Sequence, residues 1–272
     1  MPMALFWLRI SVALYGISLL YAFAALVRRR EIISRATLPV AVIAVILHLV
    51  SLIEAFAAGK MVAMPLHQSE SLLAFLMMLL FIGVYYLYGT TSPGIAVLPI
   101  AFLLSFSAAL AQGAPQFGSP LLRSGWIYTH IILILVGYSA LFFSFIASVL
   151  YLLHERSLKK KNLNGIAGRL PALETIDKIG YRLLLVGFPF MTVGLIAGSV
   201  IAQIQYGASY FLDPKVILSL LMWAVYVLML YTRWNSGWRG RRAALLSAFA
   251  FAAALSVWIA NYFSGVHRFV AR

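Results

Sequence analysis

Apolar runs long enough to cross about 30 Å of hydrocarbon recur eight times along this chain. They lie at about 6–27, 36–58, 71–89, 94–111, 126–153, 184–204, 215–232 and 243–262. Each predicts a transmembrane helix, because a lipid-exposed segment must satisfy its backbone N–H and C=O groups internally. The fourth run is short and carries Pro99. The longest polar segment, 154–182, reads as a solvated connector that turns partly helical around "LPALETIDKIGYR". No internal repeat and no second domain stand out. The pattern predicts an all-α integral membrane protein, a bundle of about eight transmembrane helices in a single polytopic domain covering 1–272.

Charge orients that bundle. Fifteen of the 21 Lys and Arg residues fall between runs one and two, five and six, or seven and eight. The other side holds Arg9, Lys60, Arg123, Lys215, Arg268 and Arg272. The positive-inside rule therefore predicts both termini outside, on the periplasmic side of a bacterial inner (cytoplasmic) membrane. The first run ends at Arg28, Arg29 and Arg30 with no small-residue cleavage site, which predicts a retained helix and not a signal peptide.

Composition narrows the function classes. At 63% hydrophobic and 10% charged residues, 272 residues cannot form a soluble core that hides their apolar surface, so membrane lipid is the solvent. The net charge of +14 could suggest a nucleic-acid partner, but the basic residues sit in short loops and not along one groove. Cysteine is absent, which excludes disulfides, thiolate metal sites and covalent haem attachment by this chain. Nucleophile elbows, phosphate-binding glycine loops and paired catalytic carboxylates are also missing, so no classical enzyme is indicated.

Five histidines remain as candidates. His154 opens the basic segment and is expected at the surface. His67, His130 and His267 fall at the outer membrane edge, on the side where the loop "QYGASYFLDPK" opens. His48 lies near the middle of run two, where an ionisable group is expensive and often functional. Glu54, six positions on, is turned to another face by about 600° of helix rotation. Two readings of His48 stay open, a neutral imidazole bonded to a neighbouring helix and a functional group. A small-solute transporter using His48 and Glu54 also stays open, without the paired broken helices such proteins carry. No two histidines lie within ten residues of each other, which excludes a helix-borne zinc motif. Distant histidines with aromatic neighbours suit axial ligation of haem, and they equally suit ordinary packing. Gly194 and Gly198 form a GxxxG on run six, expected to serve close helix packing.

Five segments follow one another in order: "LLRSGWIYTHIILILVGYSALFFSFIASVLYLL", "LETIDKIGYRLLLVGFPFMTVGLIAGSVIAQIQYG", "DPK", "SGWRGRRAALLSAFAF" and "NYFSGVHRF". Together they resemble the CcsA/ResC group of cytochrome c assembly membrane proteins, a superfamily that also holds the HemX and YpjD proteins. The resemblance is strongest over 120–272 and continues more loosely through "PLHQSESLLAFL".

That resemblance implies a haem-handling role in cytochrome c biogenesis, with haem (haem b) held at the outer face between axial ligands His130 and His267. Trp126, Tyr206, Tyr210 and Phe211 would offer ring contacts, Asp213 would close the haem loop, and Lys215 or Arg268 would pair with propionates. Asp213 would stand just before a helix that starts at Pro214, where both proline and a carboxylate are at home. The resemblance also implies a larger membrane partner subunit of a cytochrome c assembly system. The chain departs from the family pattern, however. Where the family carries three loop tryptophans, it has Tyr206, Tyr210 and Leu212, and Val216 replaces the acid after the lysine. Tyr231, expected to be buried with its hydroxyl partnered, replaces a histidine of a second haem site inside the bilayer. These departures point to the HemX/YpjD branch and to an alternative role as a non-catalytic regulator or assembly partner. His48, His67 and Tyr231 are further candidate ligands.

Overall fold

The computed structural model describes residues 3–28, 31–58, 66–110, 125–161, 168, 170–260 and 264. They form α1 (Met3–Arg28), α2 (Glu31–Ala57), α3 (Leu66–Tyr88), α4 (Gly94–Leu110), α5 (Gly125–Lys159), α6 (Leu173–Tyr206), α7 (Pro214–Asn235) and α8 (Arg241–Ile259). A 3₁₀ turn, Gly207–Leu212, joins α6 to α7, and no strand occurs among the described residues. The all-α membrane architecture expected from the pattern is present. Six of the eight helices are long and apolar enough to span a bilayer. α4, with 17 residues, is a shorter apolar helix.

The chain divides into two compact units. One comprises Met1–Pro115 with Lys161–Pro171, the other Gln116–Lys160 with Ala172–Arg272. In the first, α1 lies along α2 and α4, and α3 packs on α4. Small residues let α1 and α2 approach, with Ala41 and Ala44 fully buried. Hydroxyls then tie the helices across the gap. Ser11 Oγ donates to the Ala44 carbonyl (2.8 Å), and Ser51 Oγ donates to that of Ala4 (2.7 Å). In lipid such polar contacts and close packing hold helices together, since apolar burial alone gives no preference over the surrounding tails.

In the second unit α5 and α6 form the main seam, with α8 against α5 and α7 against α8. Its core gathers Leu141, Leu184, Met191, Met222, Tyr226 and Val257, among others. Phe145 and Phe251 stack at 4.2 Å between centroids, fixing α8 on α5.

Both seam helices outrun their expected boundaries. α5 continues through Lys159, and α6 begins at Leu173 and not near 184. The physical reason is amphipathicity. Ile176, Ile179, Leu183 and Leu184 are buried along one stripe, while Glu174, Lys178 and Arg182 are exposed. The helical content expected around "LPALETIDKIGYR" is therefore real.

His154, expected at the surface, is buried, because it sits on the extended part of α5 and not in a loop. At this same end Arg233 grips Asp177 with both guanidinium nitrogens, Nη1 donating to Oδ1 at 3.0 Å. Asp177 Oδ1 also accepts from the Gly240 N–H at 3.2 Å. Gly240 takes φ +63°, and an added Cβ there would meet the Tyr151 hydroxyl, so the α7–α8 turn needs a glycine at this point.

Candidate functional site

At the opposite end of the second unit, the first turns of α5 carry Trp126 and His130. His130 does not face its own helix. Its Nδ1 lies 2.7 Å from the carbonyl oxygen of Gly194 on α6. A carbonyl oxygen can only accept, so Nδ1 carries the proton and Nε2 keeps its lone pair. The approach is possible because α6 is bare there. A Cβ on Gly198 would overlap the imidazole ring. The GxxxG of α6 thus seats a histidine as well as a helix. Sequence reasoning assigned Gly198 only to helix packing; the signal available was that both glycines sit at the depth of His130.

The loop that closes this end is built around one carboxylate. Asp213 adopts φ −66° and ψ 130° as the N-cap of α7, its Oδ1 accepting from the Lys215 N–H at 2.9 Å. Pro214 occupies the first helical position, as expected, where its missing N–H costs nothing. The second oxygen, Oδ2, accepts from Ser264 Oγ at 3.0 Å. Ser264 is the last residue described, it is fully buried, and it was not singled out from the sequence. Its signal was a lone small polar residue in the apolar tail that leads to His267.

The aromatic candidates divide by exposure. Tyr210 is 4% exposed and packs on the ring of Phe211, 4.2 Å away. Phe211 is 52% and Trp126 71% exposed, and Tyr206 is also open to the surroundings. Lys215 is half-buried in the first turn of α7. The other proposed ligand, His267, and its neighbour Arg268 lie outside the described residues.

The remaining candidates lie elsewhere. His48 is fully buried in the first unit, between Tyr15 Oη (3.2 Å from Nδ1) and Ser71 Oγ (2.8 Å from Nε2). Both ring nitrogens are engaged by hydroxyls, and a neutral imidazole satisfies the pair with one donor and one acceptor. This matches the neutral, helix-bridging reading of His48. His67 is half-buried in the first turn of α3. Tyr231 is 57% exposed, not buried, and its hydroxyl accepts from Asn235 Nδ2 (3.1 Å) on its own helix. α7 presents Met222, Tyr226, Met229 and Leu230 to the core, and one residue beyond Leu230 the helix has rotated by about 100°.

Among the described residues no three His, Asp or Glu side chains converge as a metal-ion cage. Haem makes a different demand: one neutral imidazole lone pair on each face and flat apolar surface around it. His130, with Nδ1 held by a backbone carbonyl and Nε2 free of the proton, meets the first half of that demand.

A model of the family described as cytochrome C assembly protein matches residues 5–270. The chain belongs to the cytochrome c assembly protein family. Its relatives include the "Cytochrome c biogenesis protein CcsA" of Guillardia theta, 33% identical over 211 residues, which covers 70% of this chain and 69% of that protein. The CcsA of Chlamydomonas reinhardtii is 32% identical over 157 residues, 57% of this chain and 41% of that protein. That of Gloeobacter violaceus is 29% identical over 219 residues, 61% of this chain and 64% of that protein. The chain therefore spans between about two fifths and two thirds of the length of these family members.

Proposed function

We propose that this family member handles haem in cytochrome c assembly, holding haem b between His130 and His267 at the end of its second unit. The observation that carries the reading is the His130–Gly194 hydrogen bond, which leaves the Nε2 lone pair available at the end of the unit where Phe211, Tyr206 and Trp126 are exposed. When bound, haem would supply its iron and two propionates. His130 Nε2 and His267 would hold the iron, Phe211, Tyr206 and Trp126 would exclude water from the ring, and Lys215 and Arg268 would pair with the propionates. Thioether formation falls to the cysteines of the apocytochrome, because this chain has none.

The His130 end faces outward, both termini are outside, and the protein resides in a bacterial inner membrane. Supporting this orientation, Arg156, Lys159, Lys178, Arg182, Arg233, Arg239, Arg241 and Arg242 gather at the opposite helix ends, as the positive-inside rule requires. A larger membrane partner subunit completes the assembly system.

The test is an absorption spectrum of the detergent-purified protein with and without dithionite. A Soret band with sharp reduced α and β bands, lost in His130→Ala and His267→Ala, is expected. Full haem occupancy in the double variant would overturn the site. A featureless spectrum, unchanged by added haemin, would favour a HemX-like regulator. That second reading rests on the altered loop, where exposed Leu212 and buried Tyr210 stand in two of the tryptophan positions.

A further inference from the structure

A cleft of about 30 Å³ lies between α5, α6, α7 and α8 of the second unit, at the end away from His130. It runs inward from Arg233 and Trp238, at the basic helix ends, to Ser247 on α8 and Ser144 on α5. Ser247 follows Arg241 by six residues, about 9 Å of helix rise. The inner wall is made of hydroxyls that the protein bonds only in part. Ser144 and Ser247 are 3% and 4% exposed and meet each other at 3.5 Å, the outer limit of a hydrogen bond. That one contact uses a fraction of the donors and lone pairs that two hydroxyls carry. Ser148 and Thr232 give their protons to the Ser144 and Met229 carbonyls, at 2.8 and 3.1 Å, and line the cleft with oxygen lone pairs. The Arg233–Asp177 pair lines the mouth and keeps some contact with bulk solvent.

Buried hydroxyls without partners are costly, and cavities that stay empty are apolar. A water needs about 10–15 Å³ of free volume and about two to four polar partners, so this cleft has the lining and the room for about two molecules. We propose that the cleft is an aqueous inlet, a site that binds ordered water on Ser144, Ser148 and Ser247 and admits it from the basic end. The inference stands apart from the haem reading, since none of these residues belongs to the His130 end. Water in the inlet hydrates the Arg233–Asp177 pair from within, which lowers the cost of burying its charges. It also brings exchangeable protons about 9 Å inside the basic helix ends.

The test exploits the absence of cysteine, because a single Ser→Cys variant then carries the only thiol in the molecule. Full-length Ser144→Cys, Ser247→Cys and Ser139→Cys are placed in lipid bilayers and transferred to heavy water, and the infrared S–H band is followed as it converts to S–D. Ser139 is fully buried on α5 and does not line the cleft, so it serves as the dry reference. Exchange in Ser144→Cys and Ser247→Cys is expected to be at least about tenfold faster than in Ser139→Cys. Equal rates at the three positions, fast or slow, overturn the inlet. Ala243 lines the cleft at the start of α8, and adding Ala243→Phe to Ser247→Cys should slow exchange towards the reference. Unchanged fast exchange in that double variant overturns entry from the basic end. Unaltered protein gives an independent readout should a thiol variant not fold. Water-edited solid-state NMR is expected to carry magnetisation from water to Ser144 and Ser247 well before Ser139, and simultaneous transfer overturns the site.

Discussion

His130 and Gly194 are joined by a 2.7 Å hydrogen bond from the imidazole Nδ1–H to a helix carbonyl. The bond fixes the tautomer, with the proton on Nδ1 and the lone pair on Nε2. It depends on a neighbouring residue that contributes no atoms, since the ring occupies the space where a Gly198 side chain would be.

Gly198→Ala is therefore expected to displace the imidazole while leaving both helices formed. Overpacking of this kind costs about 1–3 kcal/mol, so the purified variant should remain folded with a lowered melting temperature. Its Soret absorbance per mole of protein should fall nearly as far as in His130→Ala. Wild-type haem content in Gly198→Ala would show that His130 is not held by α6 in the working site.

The aromatic residues of the loop should separate by role. Phe211→Ala removes an exposed ring and is expected to weaken haem retention several-fold with little change in thermal stability. Tyr210→Ala empties a buried site and should cost about 3–5 kcal/mol, as large-to-small substitutions of buried aromatic rings do. Haemin titration and thermal unfolding of the same two preparations distinguish these outcomes.

In the first unit, His48→Ala strands the hydroxyls of Tyr15 and Ser71 and opens a cavity between three helices. Each stranded buried group costs about 1–3 kcal/mol, so a large drop in melting temperature is expected, partly restored in His48→Gln. A proton-coupled transporter predicts something else: solute flux in proteoliposomes that disappears with His48. No such flux is expected from the wild type.

Arg233 and Asp177 form a half-enclosed pair that also holds the Gly240 N–H. Removing one partner of such a pair leaves the other charge uncompensated, at about 3–5 kcal/mol when fully buried and less here. Arg233→Lys keeps the charge but loses the two-pronged geometry. Thermal unfolding should rank wild type above Arg233→Lys, and Arg233→Lys above Arg233→Ala, with haem content per folded protein unaffected.

Tyr231→His places an imidazole on α7 one residue beyond buried Leu230. The position faces away from the core of its unit. The isolated variant is expected to bind no additional haem, and a second equivalent in a pyridine haemochrome assay would contradict the side-chain placement.

Much of this molecule was legible in the residue pattern. Period and length of apolar runs located all eight helices, because a span in lipid must be helical and must be about 20 residues long. The Asp-Pro pair announced the start of α7, since capping and proline geometry are local matters. Charge distribution suggested an orientation, and the order of motifs pointed to a family that the comparison bears out.

What sequence spacing could not decide was which face of a helix each residue occupies once the helices pack. Apolar residues surround these spans on every side, so no amphipathic stripe says that Tyr231 faces outward while Tyr226, five positions earlier, is buried. Amphipathic extension carried α6 back to Leu173 and buried His154 on a longer α5, both beyond the hydropathy boundary. Sequence alone determined that this is a helical membrane protein with a capped loop near a histidine. Only the tertiary structure decided that a glycine 68 positions away makes room for that histidine, and that a serine from the tail closes on the Asp213 carboxylate. Both contacts join segments remote in sequence, and hydrogen bonding and steric exclusion act on distances in space.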